Sequence, residues 1–141
     1  MKKLYYILWA GVLLGACQKS SVDKKEEGVI HYKETVSIND VPPASLTFFD
    51  VTDSRCPEGA NCLIAGFVQV DVSLDGVTTD GRITNHLKMC IGCGDIIPDS
   101  LDYSFAGQEY RFILKSILPL TRPVGEVKKS DYAISLDIKK K

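Results

Sequence analysis

Cysteine is the residue type with the most obvious chemistry in this 141-residue chain, and four of its five cysteines form two closely spaced pairs. Five residues separate Cys56 from Cys62, and two separate Cys90 from Cys93. In an exported chain such cysteines form disulfides by default. Four cysteines permit three pairings. Because short loops close easily, we predict the bonds Cys56–Cys62 and Cys90–Cys93, with pairings between the two motifs as the alternative.

Metal binding and redox chemistry are the competing uses of these cysteines. Zinc sites use pairs spaced C-x2–4-C, which Cys90 and Cys93 match and the wider pair does not. A redox-active pair of the thioredoxin type lies at a helix N-terminus, whereas the sequence GDIIP that follows Cys93 starts no helix. A copper site would need His86, Met89 and Cys90 as ligands. We therefore predict no cofactor or metal, and keep a metal-binding or redox protein using Cys90 and Cys93 as the alternative function.

The fifth cysteine, Cys17, follows a segment typical of an export signal. Lys2 and Lys3 precede thirteen uncharged residues, 4–16. This stretch is too short for a spanning helix, which needs ~20 apolar residues, but it suits a secretory signal. The sequence LGAC, ending at Cys17, resembles a bacterial lipobox, in which the cysteine becomes the lipidated N-terminus. The resemblance predicts a signal peptide over residues 1–16, lipidation of Cys17 with palmitate-type chains, and membrane attachment through that lipid.

Residues 17–28 are predicted to be the lipidated cysteine and a flexible tether. Residues 18–27 contain no aromatic and one aliphatic side chain, so they cannot bury themselves. From Cys17 onward, 15 basic residues face 18 acidic ones, which leaves the lipid as the membrane anchor. Gln18 follows the anchor cysteine, and by resemblance to lipoproteins of two-membrane bacteria the lack of Asp there permits transport to the outer membrane. We predict a cell-envelope location in the outer membrane.

Composition and motifs favour neither nucleic-acid binding nor catalysis. The formal net charge of −1 offers no basic field to a nucleic acid. The two histidines, His31 and His86, lie on strand-like segments, and the sequence has no H-E-x-x-H, G-x-S-x-G or P-loop motif. The chain is therefore predicted not to be an enzyme.

Alternation of apolar and polar residues with a period of two dominates from residue 29, and predicts an all-β domain over residues 29–141. The clearest apolar series are Val68, Val70, Val72 and Leu74, then Tyr110, Phe112 and Leu114, and last Tyr132, Ile134, Leu136 and Ile138. Six or seven strands separated by turn signals are typical of an antiparallel β-sandwich, expected here in the immunoglobulin-like form. A small β-barrel is the alternative.

Three local expectations accompany this fold. The first of those strands is expected to stop at the turn dipeptide Asp75-Gly76. Residues 99–106 are expected to hold at most a short helical turn. One strand face near the start of the domain is expected to carry four apolar side chains, Ile30, Tyr32, Val36 and Ile38.

Residues 53–66 carry the sequence DSRCPEGANCLIAG. It resembles the D-S-R-C-P-x4-C-x-x-A-G motif of a group of secreted and lipid-anchored bacterial proteins that has no assigned activity, and the resemblance covers most of residues 45–139. The resemblance implies the fold and the compartment, and it carries no activity. That group often has Trp at the position of Ile64. If this position fills the core, the smaller Ile64 leaves less area to bury.

The residue types in this segment favour a mainly structural role. Asp53 and Ser54 can accept hydrogen bonds from nearby backbone N–H groups. The planar guanidinium of Arg55 suits a carboxylate such as Asp53 or Asp50. The dipeptide Ala65-Gly66 allows the backbone of another strand to approach closely.

The loop between Cys56 and Cys62 is the candidate binding surface. A loop constrained by a disulfide binds at a lower entropic cost than a flexible one. The sequence therefore predicts a non-enzymatic, lipid-anchored binding or scaffold domain whose partner is an envelope or extracellular protein. The candidate loop residues are Pro57, Glu58, Gly59, Ala60 and Asn61.

Overall fold

The structure, a computed structural model, describes residues 28–141. The predicted signal peptide, the lipidation site Cys17 and almost all of the predicted tether lie outside the described residues. Among residues 28–141, no helix is long and apolar enough to cross a membrane.

Eight antiparallel strands form two four-stranded sheets that pack against each other, which confirms the predicted β-sandwich. Sheet 1 has the order β1-β8-β7-β6 and sheet 2 the order β2-β3-β4-β5. One 3-10 turn, Lys129–Asp131, is the sole helical element of the described part. The strands are β1 (Val29–His31), β2 (Thr35–Asn39), β3 (Ala44–Asp53), β4 (Val68–Thr78), β5 (Gly81–Ile91), β6 (Ser100–Phe105), β7 (Gln108–Leu118) and β8 (Ala133–Lys140).

The core lies between the sheets and contains the side chains that the alternation selects. Apolar side chains that leave water in this way are the main stabilising contribution to such a fold. The hydroxyl of Tyr110 is buried among them without a hydrogen-bond partner in residues 28–141, and burial raises the pKa of this tyrosine. All but one of the apolar residues named for the three clearest strands are buried: Val68, Val70, Val72, Leu74, Tyr110, Phe112, Leu114, Tyr132, Ile134 and Leu136. Ile138 is half-buried.

The strand order is a meander. Strands β2 to β5 follow one another in sheet 2, and β6 to β8 do so in sheet 1. The immunoglobulin arrangement instead returns repeatedly from one sheet to the other, so this sandwich differs from the expected immunoglobulin-like form. β1 and β2 follow each other in sequence but lie in different sheets, and so do β5 and β6. The described strands therefore do not close into the alternative β-barrel.

One predicted strand is divided between the two sheets. The chain bends at Lys33, whose φ is 63°. The N–H of Tyr32 donates to the carbonyl of Tyr132 beside sheet 1 (3.1 Å), and the N–H of Phe48 in sheet 2 donates to the carbonyl of Glu34 (3.1 Å). The expectation of a single strand face is therefore wrong, although its apolar side chains all pack in or against the core: Ile30, Tyr32, Val36 and Ile38.

The prediction of a turn at Asp75-Gly76 is also wrong, because β4 continues through this dipeptide to Thr78. The reversal comes at residues 79–80, directly before β5. Packing explains the glycine: a Cβ on Gly76 would lie 2.7 Å from Cε1 of Phe105, a ring that is fully buried. Glycine at this position is therefore needed for contact between the sheets.

The prediction of a helical turn within residues 99–106 is wrong as well, because most of this segment forms β6. Leu101, Tyr103 and Phe105 alternate with polar residues, which is a strand pattern. The strand ends where Ala106 (φ 51°) and Gly107 (φ 79°) form a tight hairpin turn with two positive φ angles. This strand and the divided one bring the number of strands to eight.

The connections at the two ends of the sandwich differ in kind. Short hairpins join β2 to β3, β4 to β5 and β6 to β7 at one end, which we call the hairpin end. Three longer connections lie at the opposite end: residues 54–67, 92–99 and 119–132. They include or adjoin both disulfides, so we call this the disulfide end.

The substitution Gly76→Ala tests the packing role of Gly76. We expect it to lower the free energy of unfolding by about 1–3 kcal/mol, as overpacking of a filled core does, measured by chemical denaturation. In the double variant Gly76→Ala/Phe105→Leu, the leucine side chain leaves room for the added Cβ at position 76. The loss of unfolding free energy should therefore be smaller than the sum of the losses in the two single variants. Additive costs, or a Gly76→Ala variant as stable as the original, would contradict this role.

Candidate functional site

Both disulfides pair cysteines that are near in sequence, as predicted. The Cα atoms of Cys56 and Cys62 are 6.0 Å apart, and those of Cys90 and Cys93 are 5.7 Å apart. These separations lie within the range that a disulfide spans. Within residues 28–141, no group of three or more His, Cys, Asp or Glu side chains is placed to hold a metal ion. The cysteines therefore act in this structure as bridges that shape two loops.

Asp53 and Arg55 form a bidentate ion pair at the end of β3. Nε and Nη2 of Arg55 donate to the two carboxylate oxygens of Asp53 at 2.9 and 2.7 Å, and the backbone N–H of Arg55 donates at 3.0 Å. The side chain of Asp53 is only 4% exposed. Of the two carboxylates predicted for Arg55, Asp53 is thus the partner, and Asp50 pairs with Lys129 at the surface.

The electrostatics of this site follow from burial and hydrogen bonding. Burial opposes ionisation of Asp53, but the hydrogen bonds from Arg55 and from the hydroxyl of Tyr132 (3.0 Å) outweigh it, and the pKa of Asp53 is lowered below its usual 3.8. Burial and the donation to the Asp53 carboxylate raise the pKa of Tyr132. Asp53 is therefore an ionised structural group without a proton to give or take near neutral pH.

Arg55 also joins the first loop of the disulfide end to the third. Its Nη1 donates to the carbonyl of Leu120 (2.8 Å), and its Nη2 donates to that of Pro119 (3.0 Å). In return, Nη1 of Arg122 donates to the carbonyl of Arg55 (3.3 Å), and the N–H of Glu58 donates to the carbonyl of Arg122 (2.9 Å). These bonds connect residues more than sixty positions apart and hold two loops as one surface.

Gly66 closes the neck of the first loop. Its φ is +74°, and a Cβ there would overlap the carbonyl oxygen of Ser54. The predicted close approach at Ala65-Gly66 is therefore present, and the approaching backbone is that of Ser54 at the start of the same loop. Gly92 of the second loop lies against this neck, since a Cβ on it would be 3.0 Å from the carbonyl oxygen of Gly66.

The disulfide end carries most of the exposed large apolar side chains of the described residues. Nine large apolar side chains of the described part are exposed, and six of them are on the three loops of this end. In the candidate loop, residues 58–61 are exposed and Pro57 is half-buried. The six side chains are Leu63, Ile64, Phe67, Ile96, Leu120 and Val124.

Sequence reasoning identified the polar part of this surface and missed the apolar part. Ile64 was considered as a core residue, yet its side chain is 80% exposed. The available signal was the pair Leu63-Ile64 directly after Cys62. Adjacent side chains of an extended chain point in opposite directions, so both cannot enter the same core. Leu120 and Val124 carried no comparable signal, since only the fold brings their loop to this end.

Neither histidine belongs to the three loops of this end. His31 is exposed at the end of β1. His86 lies on the outer face of sheet 2, where its Nδ1 is 2.8 Å from a carboxylate oxygen of Asp71, and its ring contacts Phe49 edge-on.

The chain matches no protein-family model, no curated protein and no solved structure.

The Asp53–Arg55 pair predicts a specific dependence of stability on pH. Because the pKa of Asp53 is lowered in the folded protein, its contribution is fully present above about pH 4 and is lost as the pH falls through the lowered value. We expect Asp53→Asn to reduce the free energy of unfolding at pH 7 by about 3 kcal/mol, since it leaves the guanidinium without its partner. The gap between variant and original protein should narrow at pH 3, measured by chemical denaturation at both pH values.

Asp50→Asn is the matched control. It removes the same charge three residues away, but from an exposed pair with Lys129, which should cost at most about 1 kcal/mol. Equal costs for the two substitutions, or an Asp53→Asn cost that does not change with pH, would contradict the structural role of the buried pair.

Proposed function

We propose that this chain is a lipid-anchored protein of the bacterial cell envelope, attached to the outer membrane through Cys17, and that it binds a partner protein through its disulfide end. The function is binding or scaffolding without catalysis. The observation that carries the proposal is the concentration of exposed apolar side chains on the three loops of that end.

The apolar character favours a protein partner. Monomeric soluble proteins rarely leave large contiguous apolar patches in water, and such patches commonly mark interaction sites. Leu63, Ile96 and Val124 come from three different loops, so the apolar residues are distributed over the whole end. A partner from the envelope or the extracellular medium with an apolar contact surface is the chemical match.

The rigidity of the loops favours binding as well. The bridge Cys56–Cys62, the fork of Arg55 and the neck at Gly66 fix the first loop from three directions. Surface segments that are ordered before binding lose less conformational entropy when the partner arrives. The loop is thus constructed as a preformed contact surface.

The described domain begins with β1, an edge strand of sheet 1, and the proposed tether precedes it. Val29 pairs with Ser135 and His31 with Ala133, so β1 runs toward the disulfide end. The ten residues between Cys17 and Gly28 span at most ~35 Å when extended. A tether of that length would leave the disulfide end free to meet a partner.

Photo-crosslinking in cells tests the binding surface. A photoreactive residue at position 63 should give a discrete crosslinked protein adduct, because Leu63 is fully exposed on the proposed contact surface. The same residue at position 41 is the control, since Val41 is also highly exposed but lies at the hairpin end. Replacing residues 58–61 by a Gly/Ser linker should reduce the adduct at position 63. Equal adducts from both positions, or an adduct that survives loop replacement unchanged, would argue against this surface.

Metabolic labelling with a fatty-acid probe tests the anchor separately. The full chain should become labelled and sediment with membranes, and Cys17→Ser should abolish both, because the thiol is the lipid acceptor. Globomycin should cause the precursor to accumulate. An unlabelled chain, or one whose Cys17→Ser variant remains in the membrane fraction, would exclude lipid anchoring while leaving the binding surface open to the crosslinking test.

A further inference from the structure

The outer face of sheet 2 carries two rows of short polar side chains that run across its four strands. Neighbouring strands in a sheet lie ~4.8 Å apart, so aligned side chains form a regular array. Six of the eight side chains are Ser or Thr. The strand registers align Thr35, Thr47, Ser73 and His86 in the first row, and Ser37, Ser45, Asp75 and Thr84 in the second.

Internal hydrogen bonds orient several of these hydroxyls. Thr35 and Thr47 share a hydrogen bond between their hydroxyl oxygens (2.8 Å). Ser73 and Thr84 both donate to the carboxylate of Asp75, at 3.2 and 2.5 Å. A hydroxyl that donates a hydrogen bond can still accept one through its lone pairs. Ser73 is itself buried, so the accessible donors and acceptors come from the other hydroxyls of the rows and from the Asp75 carboxylate.

A groove of about 580 Å³ lies over these rows toward the hairpin end. Thr35, Ser37, Ser45 and Thr47 line it together with Asp75. Its volume falls within the ~300–1,000 Å³ that small-molecule sites occupy. The groove is therefore large enough for a short oligomer of a small polar unit.

The rim of the groove adds charged and apolar groups. Asp40 and Arg82 line it, and neither side chain has a hydrogen-bond or ion-pair partner within residues 28–141. Val77 and Pro43 supply apolar surface. With the two carboxylates of Asp40 and Asp75 against the single guanidinium of Arg82, the lining carries a formal charge of −1, which disfavours a polyanionic ligand.

The outer face of sheet 1 is of a different kind. Long charged side chains cover it and pair with each other. Asp102 contacts Arg111 and Asp137 contacts Lys115 across neighbouring strands, and Asp137 also contacts Lys139 on its own strand (3.5 Å each). Such pairs are the ordinary cover of a solvated sheet face. The groove on sheet 2 exists because its rows have side chains too short to fill the space above the strands.

We propose that this groove binds a neutral oligosaccharide. Sugar hydroxyls donate and accept in the same way as the Ser and Thr hydroxyls that line the groove, and the C–H faces of sugar rings suit the apolar surface of Val77 and Pro43. The rim groups Asp40 and Arg82 supply one acceptor and one bidentate donor to fix orientation. This site is independent of the protein-binding surface at the disulfide end.

Affinity electrophoresis of the full chain, purified in mild detergent, tests this site. Native gels containing dextran, mannan or galactan should retard the protein, whereas dextran sulfate should not retard it more than its uncharged counterpart. Sedimentation with peptidoglycan sacculi distinguishes an envelope glycan from an external polysaccharide as the source of the sugar. No retardation by any neutral glycan together with no binding to sacculi, or retardation by the sulfated polymer alone, would overturn the proposal.

Matched substitutions locate the site. Ser45→Arg fills the groove from an inner strand of sheet 2, and should weaken retardation or sacculus binding by about tenfold or more, as loss of the central contacts of a small site does. Ser135→Arg places the same side chain on an inner strand of sheet 1 and should leave binding unchanged. If Ser45→Arg does not fold by circular dichroism, the rim variant Asp40→Ala/Arg82→Ala decides, with an expected loss of about fivefold. Binding that survives these changes, or is lost equally in Ser135→Arg, overturns the assignment to this groove.

Discussion

The hydrogen bonds of Arg55 are the interaction on which the arrangement of the disulfide end depends. Asp53 ends a strand of sheet 2, whereas Tyr132, which donates to the same carboxylate, precedes a strand of sheet 1. Arg55 adds bonds to the carbonyls of Pro119 and Leu120 at the end of β7. One guanidinium thus satisfies a buried carboxylate and two chain carbonyls that no strand partner reaches. The bridge Cys56–Cys62 closes too short a loop to contribute comparable long-range order.

Alternation predicted the strands well because each sheet buries one face and exposes the other. The prediction of strands succeeded where the alternation is strict, as along Val70 and Val72 in β4. It failed where a residue type is common both in turns and at close contacts between sheets. Gly76 reads as a turn residue in the sequence, but the contact with Phe105 that requires it comes from the other sheet. The bend at Lys33 was equally invisible, since a left-handed lysine has no sequence signature and the apolar pattern continues on both sides of it.

The candidate sites were predictable only to the extent that they are local. The two disulfides and the partner of Arg55 lie within short stretches of chain, so residue chemistry and spacing predicted the disulfides and limited the partner of Arg55 to Asp53 or Asp50. The bonds from Arg55 to Leu120 span 65 residues and depend on how the loops meet. The rows on sheet 2 depend on strand register, because the alignment of Ser37 with Ser45 is set by a hairpin whose strands shift register near Asn39.

Stability alone does not account for the contrast between the two outer faces. Cross-strand Thr and Ser pairs contribute roughly 0.2–1 kcal/mol each, and exposed ion pairs such as Lys115–Asp137 contribute about 0–1 kcal/mol. Either kind of face would therefore support this core equally well. What differs is the space above the strands, which long side chains occupy on sheet 1 and short hydroxyls leave open on sheet 2. The folding free energy therefore does not dictate which face is open, and the groove depends only on the short length of the side chains on sheet 2.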